Sequence, residues 1–236
     1  MKNQYFGDIN DFRKYGLLRS LLRAGNVKLL VAWMLTGADD KKPGDGKFTG
    51  YLNEANKHSA CDPELHRWLR RRVYEENARS VSLIEDSDLL DATTFYSEGV
   101  PDDRDGRHRW AEGLYGAAKD ANLVFLDPHN GIEIPSKPYG RKHSSKYVYW
   151  GELERLWKDG KSLLIYQHFT RAKRDGFIRT KLGDLNDHLR DPQPCQVSAY
   201  ITPHVVFFLA LQKQICFEVN DVWKERGKLW RWKIER

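Results

Sequence analysis

Apolar residues follow two rhythms along this chain. Between Asp11 and Arg23, Leu17, Leu18, Leu21 and Leu22 recur at helical spacing with basic residues between them, which predicts an amphipathic helix capped by Asp8 or Asn10. Lys28 to Leu35 (KLLVAWML) is instead a continuous apolar run of strand length, suited to a central strand buried on both faces. Further along, the pattern predicts a helix from Pro63 to Asn77, a strand from Val81 to Glu85, a helix ending at Ala118 and a strand from Asn122 to Leu126. A helix from Trp150 to Trp157, a strand from Ser162 to Gln167 and a helix from Arg171 to Leu189 follow. Strands alternating with helices imply right-handed crossovers and a mostly parallel sheet.

After Leu189 the rhythm changes. Val197 to Ile201, Val205 to Leu211, Ile215 to Val219 and Leu229 to Ile234 read as strands whose short connections demand antiparallel pairing. The predicted architecture is one Rossmann-like α/β domain over residues 1–236, with a mixed, mostly parallel sheet, helices on both faces and antiparallel C-terminal strands. Thr36 to Gly50, with Pro43-Gly44-Asp45-Gly46 inside it, reads as a long mobile loop.

Charge narrows the choice of partner. The 236 residues carry 39 Lys and Arg against 33 Asp and Glu, a formal charge of +6. This excess favours a polyanion, because each cation near a phosphate releases condensed counterions. Cys61, Cys195 and Cys216 lie far apart with no CxxC pair and no metal-ligand spacing, which predicts a reduced cytoplasmic protein without a metal. No apolar run approaches the length that crosses a bilayer, so membrane insertion is not expected.

In open α/β sheets ligands bind beyond the carboxyl ends of the strands, so polar residues after apolar runs are the ones to weigh. Asp127-Pro128-His129-Asn130-Gly131 with Glu133 follows one run, and Tyr166-Gln167-His168-Phe169 with Thr170 and Arg171 closes another. A carboxylate at a buried strand end is partly desolvated and can act as a base or stabilise a developing cation. The simpler account of Asp127 is a turn cap, and of His168 a hydrogen-bonded strand exit. A third cluster is Tyr5-Phe6-Gly7-Asp8-Ile9-Asn10-Asp11 with Lys14: capping a helix needs one of Asp8, Asn10 and Asp11, so the surplus marks a site edge. Arg171 and Arg174 at a helix start suit a phosphate, and Arg141 and Lys142 interleave with Tyr139, as a strand-binding groove requires. Such charge runs, like Arg67 and Arg70 to Arg72, are also what solvated faces look like.

Gly7-Asp8-Ile9-Asn10-Asp11-Phe12-Arg13-Lys14-Tyr15, with its helix and the strand Leu29 to Leu35, resembles the opening of bacterial 23S ribosomal RNA adenine-N6 methyltransferases. In that family an Asp-Pro-Pro-Tyr motif is catalytic, and its counterpart here is Asp127-Pro128-His129-Asn130. Two departures stand out: the glycine-rich loop for S-adenosylmethionine becomes Leu35-Thr36-Gly37-Ala38-Asp39-Asp40, and the acidic strand end before it becomes Trp33-Met34. Asp127-Pro128-His129-Asn130-Gly131 is also similar to the water-activating Asp-Pro-Tyr-His-Gly loop of uracil-DNA glycosylases, which carry a second histidine after a later strand, as His168 is here. The chain further resembles small bacterial anti-phage DNA glycosylases that remove glucosylated hydroxymethylcytosine from phage DNA.

These resemblances imply three readings. As a DNA glycosylase the chain needs no cofactor: Asp127, Asn130 and His168 are catalytic, and Tyr5, Asn10, Asp11, His129, Tyr166 and Gln167 line a pocket for a flipped base. Lys14, Arg141, Lys142, Arg171 and Arg174 hold the DNA backbone. As a base N-methyltransferase it binds S-adenosylmethionine, with Asp127 and Asn130 on the exocyclic amine. As a degenerate fold it binds nucleic acid without chemistry.

Overall fold

The computed structural model describes residues 2–23, 26–36, 46–53, 58–215 and 233–235. Its strands are Leu29–Ala32 (β1), Thr93–Tyr96 (β2), Leu123–Leu126 (β3), Gly131–Ile132 (β4), Tyr147–Val148 (β5), Ser162–His168 (β6), Gln196–Ile201 (β7), Val205–Leu211 (β8) and Lys233–Glu235 (β9). The α-helices are Ile9–Leu22 (α1), Pro63–Arg70 (α2), Ser82–Glu85 (α3), Arg104–Ala117 (α4), Trp150–Lys158 (α5) and Arg174–His188 (α6).

Successive strand side chains point to opposite faces, and this sorts the core into two layers. Leu29, Val31 and Trp33 join one apolar cluster with Phe12, Leu18, Leu65, Leu69 and Ile84 from α1, α2 and α3. Leu30, Ala32 and Met34 join the other with Trp110, Leu114, Leu153, Trp157, Ile178 and Leu185 from α4, α5 and α6. Between the helical layers lies a seven-stranded sheet in the order β2-β1-β3-β6-β8-β7-β9. β2, β1, β3 and β6 run parallel, and β8 enters antiparallel between β6 and β7. The fold is α/β and Rossmann-like, with a mixed sheet and antiparallel C-terminal strands. β4 and β5 form a separate parallel pair that returns the chain to the end of β3.

Several predicted elements differ. Val81 to Glu85 is no strand: Ser82–Glu85 is a turn of helix, and the strand beside β1 is Thr93-Thr94-Phe95-Tyr96, half-buried at the sheet edge. Its β-branched and aromatic residues suit that position better than a fully apolar run does. The helix from Pro63 stops being α-helical at Arg70 and continues as a π-helical turn, Arg71–Glu75. α1 is buried nearly all round, since Asp11, Lys14 and Tyr15 are enclosed along with Leu17, Leu18 and Leu21. Cys195 takes part in a disulfide, which corrects the expectation of a fully reduced chain. Most of the loop at 36–50 and of the strands at 215–219 and 229–234 lies outside the described residues. Among the described residues no helix is long and apolar enough to cross a membrane.

Candidate active site

Three pieces of chain converge at the carboxyl edge of the parallel strands. The first is the start of α1. Asp8 caps it, its Oδ1 accepting from the backbone N–H groups of Asn10 at 2.7 Å and Asp11 at 3.0 Å. The turn into this cap needs glycine at position 7: φ is +79°, and a Cβ there would meet Val73 Cγ2 of the π-helical turn at 2.5 Å. Helical spacing then sets Asp11, Lys14 and Tyr15 on neighbouring positions of α1.

The second piece is the exit of β3. The Asp127 backbone N–H donates to the Ala32 carbonyl at 3.0 Å, so the residue extends the sheet pairing by one step before the chain turns. Asp127 is 1% exposed. The third piece is the end of β6, with Tyr166, Gln167 and His168. Gln167 ties the second piece to the third. Its Oε1 accepts from the Ile132 N–H at 2.8 Å, and its Nε2 donates to the carbonyls of Asn130 at 3.1 Å and His168 at 2.8 Å. Gly131, with φ +131°, passes so close that a Cβ would lie 2.2 Å from the Gln167 amide.

Lys14 joins the three pieces. Its Nζ donates to Asp11 Oδ1 and to Asp127 Oδ2, both at 2.8 Å, and it lies 5.3 Å from the centre of the Tyr166 ring and 5.6 Å from that of Trp33. The Tyr15 hydroxyl donates to Asp11 Oδ2 at 3.3 Å. One ammonium thus faces two buried carboxylates, with Asp8 close by. Burial is the main force raising the Asp11 carboxyl, Lys14 opposes it, and Asp8 and Asp127 add to it; the result is about 7. Burial also raises Asp8. At Lys14 burial disfavours the charged form, but Asp11 and Asp127 outweigh it and hold the ammonium above its ordinary range.

Above this cluster a recess is lined by Tyr5, Asn10, Pro128, His129, Tyr166 and His168. It spans about 350 Å³ with its open mouth, of which about 40 Å³ is open to the centres of water-sized molecules. A single water occupies roughly 10–15 Å³ on that measure, so the recess takes a few waters. Tyr5 and His129 form a tilted ring pair at 5.9 Å. Burial, aided by the N-terminus and Lys2, lowers the His129 imidazole to about 3, so it is neutral at physiological pH. His168 sits at the rim with one side in solvent, its Nε2 3.2 Å from the Tyr166 hydroxyl. Partial enclosure lowers its pKa despite the pull of Asp127. Asn10 Oδ1 is buried and makes no hydrogen bond to the protein.

Most predicted site residues therefore meet: Asp127, His168, Tyr5, Asn10, Asp11, His129 and Tyr166 all line the recess. Two do not. Gln167 is spent holding the loop, and Asn130 contributes backbone groups, its N–H donating to Lys146 O at 2.9 Å and its carbonyl accepting from the His168 N–H at 3.0 Å. Lys14 differs most from its expected role as a backbone contact. It is 2% exposed, an internal counter-ion out of reach of phosphate. Arg141, Lys142, Arg171 and Arg174 are exposed outside the recess, Arg174 lying 4.7 Å over the Phe169 ring. From sequence Asp8 read as a cap at a site edge and Lys14 as a backbone contact; the spacing of Asp8, Asp11 and Lys14 at the start of a helix packed by leucines is the signal that could have joined them.

The methyltransferase resemblance implies S-adenosylmethionine at the carboxyl end of β1, and the residues there do not fit it. Trp33 and Met34 are fully buried; the Trp33 indole N–H donates to Glu85 Oε1 at 2.6 Å, and its ring stacks on Phe95. Leu35 bridges to Gly99, with the Val100 N–H donating to the Leu35 carbonyl at 2.7 Å. Trp33 and Met34 thus stand where such a cofactor needs a ribose-binding carboxylate, while residues 37–40, the counterpart of its glycine-rich loop, lie outside the described residues. Among the described residues no group of three or more His, Cys, Asp or Glu is arranged to hold a metal ion. No protein-family model matches the chain, and no curated protein matches it.

Proposed function

We propose that the chain is a hydrolase that cleaves the N-glycosidic bond of a base flipped out of DNA, with glucosylated hydroxymethylcytosine in phage DNA as the substrate to test first. The observation that carries this reading is the pair of buried carboxylates, Asp11 and Asp127, held on one ammonium at the floor of a recess rimmed by rings. Buried carboxylates favour positive charge developing beside them, and glycosidic cleavage develops positive charge on the sugar.

In this reading the deoxyribose C1′ sits over the floor and the base occupies the mouth between Tyr5, His129 and His168. Water adds to C1′, and the C1′–N bond breaks with its electron pair leaving on the base. A water proton passes to the carboxylate pair, where Asp11, near 7, can hold it at neutral pH. The base takes up a proton from solvent, and His168 donates a hydrogen bond to it as it departs. Asp127 stabilises the sugar cation, its carboxylate held in place by Lys14. Lys14 stays protonated between its carboxylates, so water rather than an amine is the nucleophile. Extruding the base costs a few kcal/mol, which contacts to the DNA backbone offset.

The test is incubation of the folded protein with unmodified and glucosylated hydroxymethylcytosine DNA, reading abasic sites by alkaline cleavage and released bases by mass spectrometry. The expected result is free base and abasic sites from the modified DNA, lost in Asp127→Asn. Abasic sites from neither DNA overturn the reading. Micromolar calorimetric binding of S-adenosylmethionine would favour methyl transfer instead.

A further inference from the structure

Phe48 and Tyr74 are the large hydrophobic side chains exposed among the described residues, at 62% and 43%. They lie together, because the Tyr74 hydroxyl donates to the carbonyl and hydroxyl of Thr49 at 3.2 Å. Grouped exposed apolar surface is the informative kind. The Phe48 ring also lies near-parallel to that of His204, centroids 6.0 Å apart and planes 14° from each other, and His204 is exposed as well. Two exposed rings with nearly parallel planes offer π faces to solvent.

Both rings are fastened to the mouth of the recess. The Phe48 carbonyl accepts from the Ile9 N–H at 3.0 Å, and Ile9 stands between Asp8 and Asn10, which line the recess. His204 closes the turn into β8, whose first residue, Val205, pairs with His168 on the opposite rim. Thr202 locks that turn: its hydroxyl donates to the Val205 carbonyl at 2.8 Å and accepts from the Val205 N–H at 3.0 Å. The backbone under each ring is therefore fixed to an element that carries the site. Lys47, next to Phe48, is exposed.

We propose that Phe48 and His204 form a stacking platform for a base of the DNA strand next to the nucleotide whose sugar enters the recess. Any base offers a π face, an exposed ring pair holds it without reading its edge, and Lys47 stands where a phosphate passes. A protein partner would bury the same rings, but nothing in this surface sets the register of a peptide, whereas an exposed pair of parallel rings with a cation beside it suits a nucleobase and its phosphate.

The inference rests on the proposed function for which nucleotide is extruded, and the test separates the two. Catalytically disabled Asp127→Asn protein is titrated with single-stranded oligonucleotides carrying 2-aminopurine at successive positions around one glucosylated hydroxymethylcytosine, following anisotropy and fluorescence. Stacking on the platform quenches 2-aminopurine at one neighbouring position. Adding Phe48→Ala or His204→Ala weakens binding by about tenfold and abolishes the quenching, while Phe48→Trp restores both. Unchanged affinity and quenching in both alanine variants, folded by circular dichroism, overturns the platform. Quenching at a fixed position with no base release by the native protein would retain the platform and reject the hydrolase.

Discussion

Two buried ion clusters in this fold, built from residues far apart in sequence, have opposite designs. Arg107 and Glu152 form a balanced pair: Nε donates to Oε1 at 2.7 Å and Nη2 to Oε2 at 2.8 Å. Arg107 also donates to the Tyr147 carbonyl and lies over the Trp110 and Tyr149 rings, while Glu152 Oε2 accepts from the Tyr149 N–H that starts α5. Charge cancels, the fork is bidentate, and the pair pins α4 to α5 and to the β5 return. The Asp11, Lys14 and Asp127 cluster has two carboxylates to one ammonium and opens on a recess. The closed bidentate pair braces two helices, whereas the cluster that lines the recess is, on the proposed function, where charge acts on a ligand.

Activity gives the largest contrast between them. Replacing Asp127 with Asn should lower base release by about a thousandfold in single-turnover assays, the scale of a lost charge-stabilising group. Replacing Arg107 should leave the rate per folded molecule nearly unchanged. Comparable rate losses in the two variants would erase the distinction.

Stability should reverse the ranking. Arg107→Met leaves Glu152 buried without its partner and is expected to cost about 3–5 kcal/mol in urea unfolding. The double variant Arg107→Met, Glu152→Leu should regain most of that, because the charge left behind is what destabilises. Failure of the double variant to recover would mean that the carbonyl and ring contacts of Arg107, not charge balance, hold this corner together.

The unbalanced cluster should also show in pH dependence. The Asp11 carboxyl is raised from its ordinary value to about 7 in the fold, so between about 4 and 7 the native state binds more protons than the unfolded chain. Stability contributed by protonated Asp11 is present at the acid end of that window and is lost as pH rises through 7. Asp8, also raised, acts in the same direction. Asp11→Asn removes the Asp11 share, so the urea midpoint of the variant should gain on the native protein from pH 4.5 to pH 8. A constant difference across that range would show that Asp11 titrates normally.

Much of this comparison could be read from sequence, for identifiable reasons. KLLVAWML and LVFL announce buried strands because both their faces are apolar, and chemistry follows a strand end, so Asp127 and His168 were visible. Thr93–Tyr96 was not, because an edge strand needs only half its surface covered and its polar threonines mimic a loop. Lys14 read as a phosphate contact because basic residues on a helix are normally solvated; only the fold reveals that α1 is enclosed and that position 14 faces position 127 across the sheet edge. Gln167 had the same flaw in the other direction. Its place after a strand suggested a pocket, yet its amide is consumed by Ile132, Asn130 and His168. Phe48 and His204 gave no signal at all, since their pairing joins distant turns.

The smallest expected effect tests how the two signs of charge divide the surface. On the proposed function, cations outside the recess hold the DNA, and Arg141 and Lys142 are exposed on a loop that Asp102 fixes by accepting from the N–H groups of His143 and Ser145, both at 2.8 Å. If they contact phosphates, Arg141→Ala and Lys142→Ala should each lower the slope of log affinity against log salt by about one, equally for modified and unmodified DNA. Base release at saturating DNA should not change, since neither side chain reaches the recess. An unaltered slope in both variants would return these residues to the solvated surface and move the search for the phosphate track to Lys47 and the rim beside Phe48.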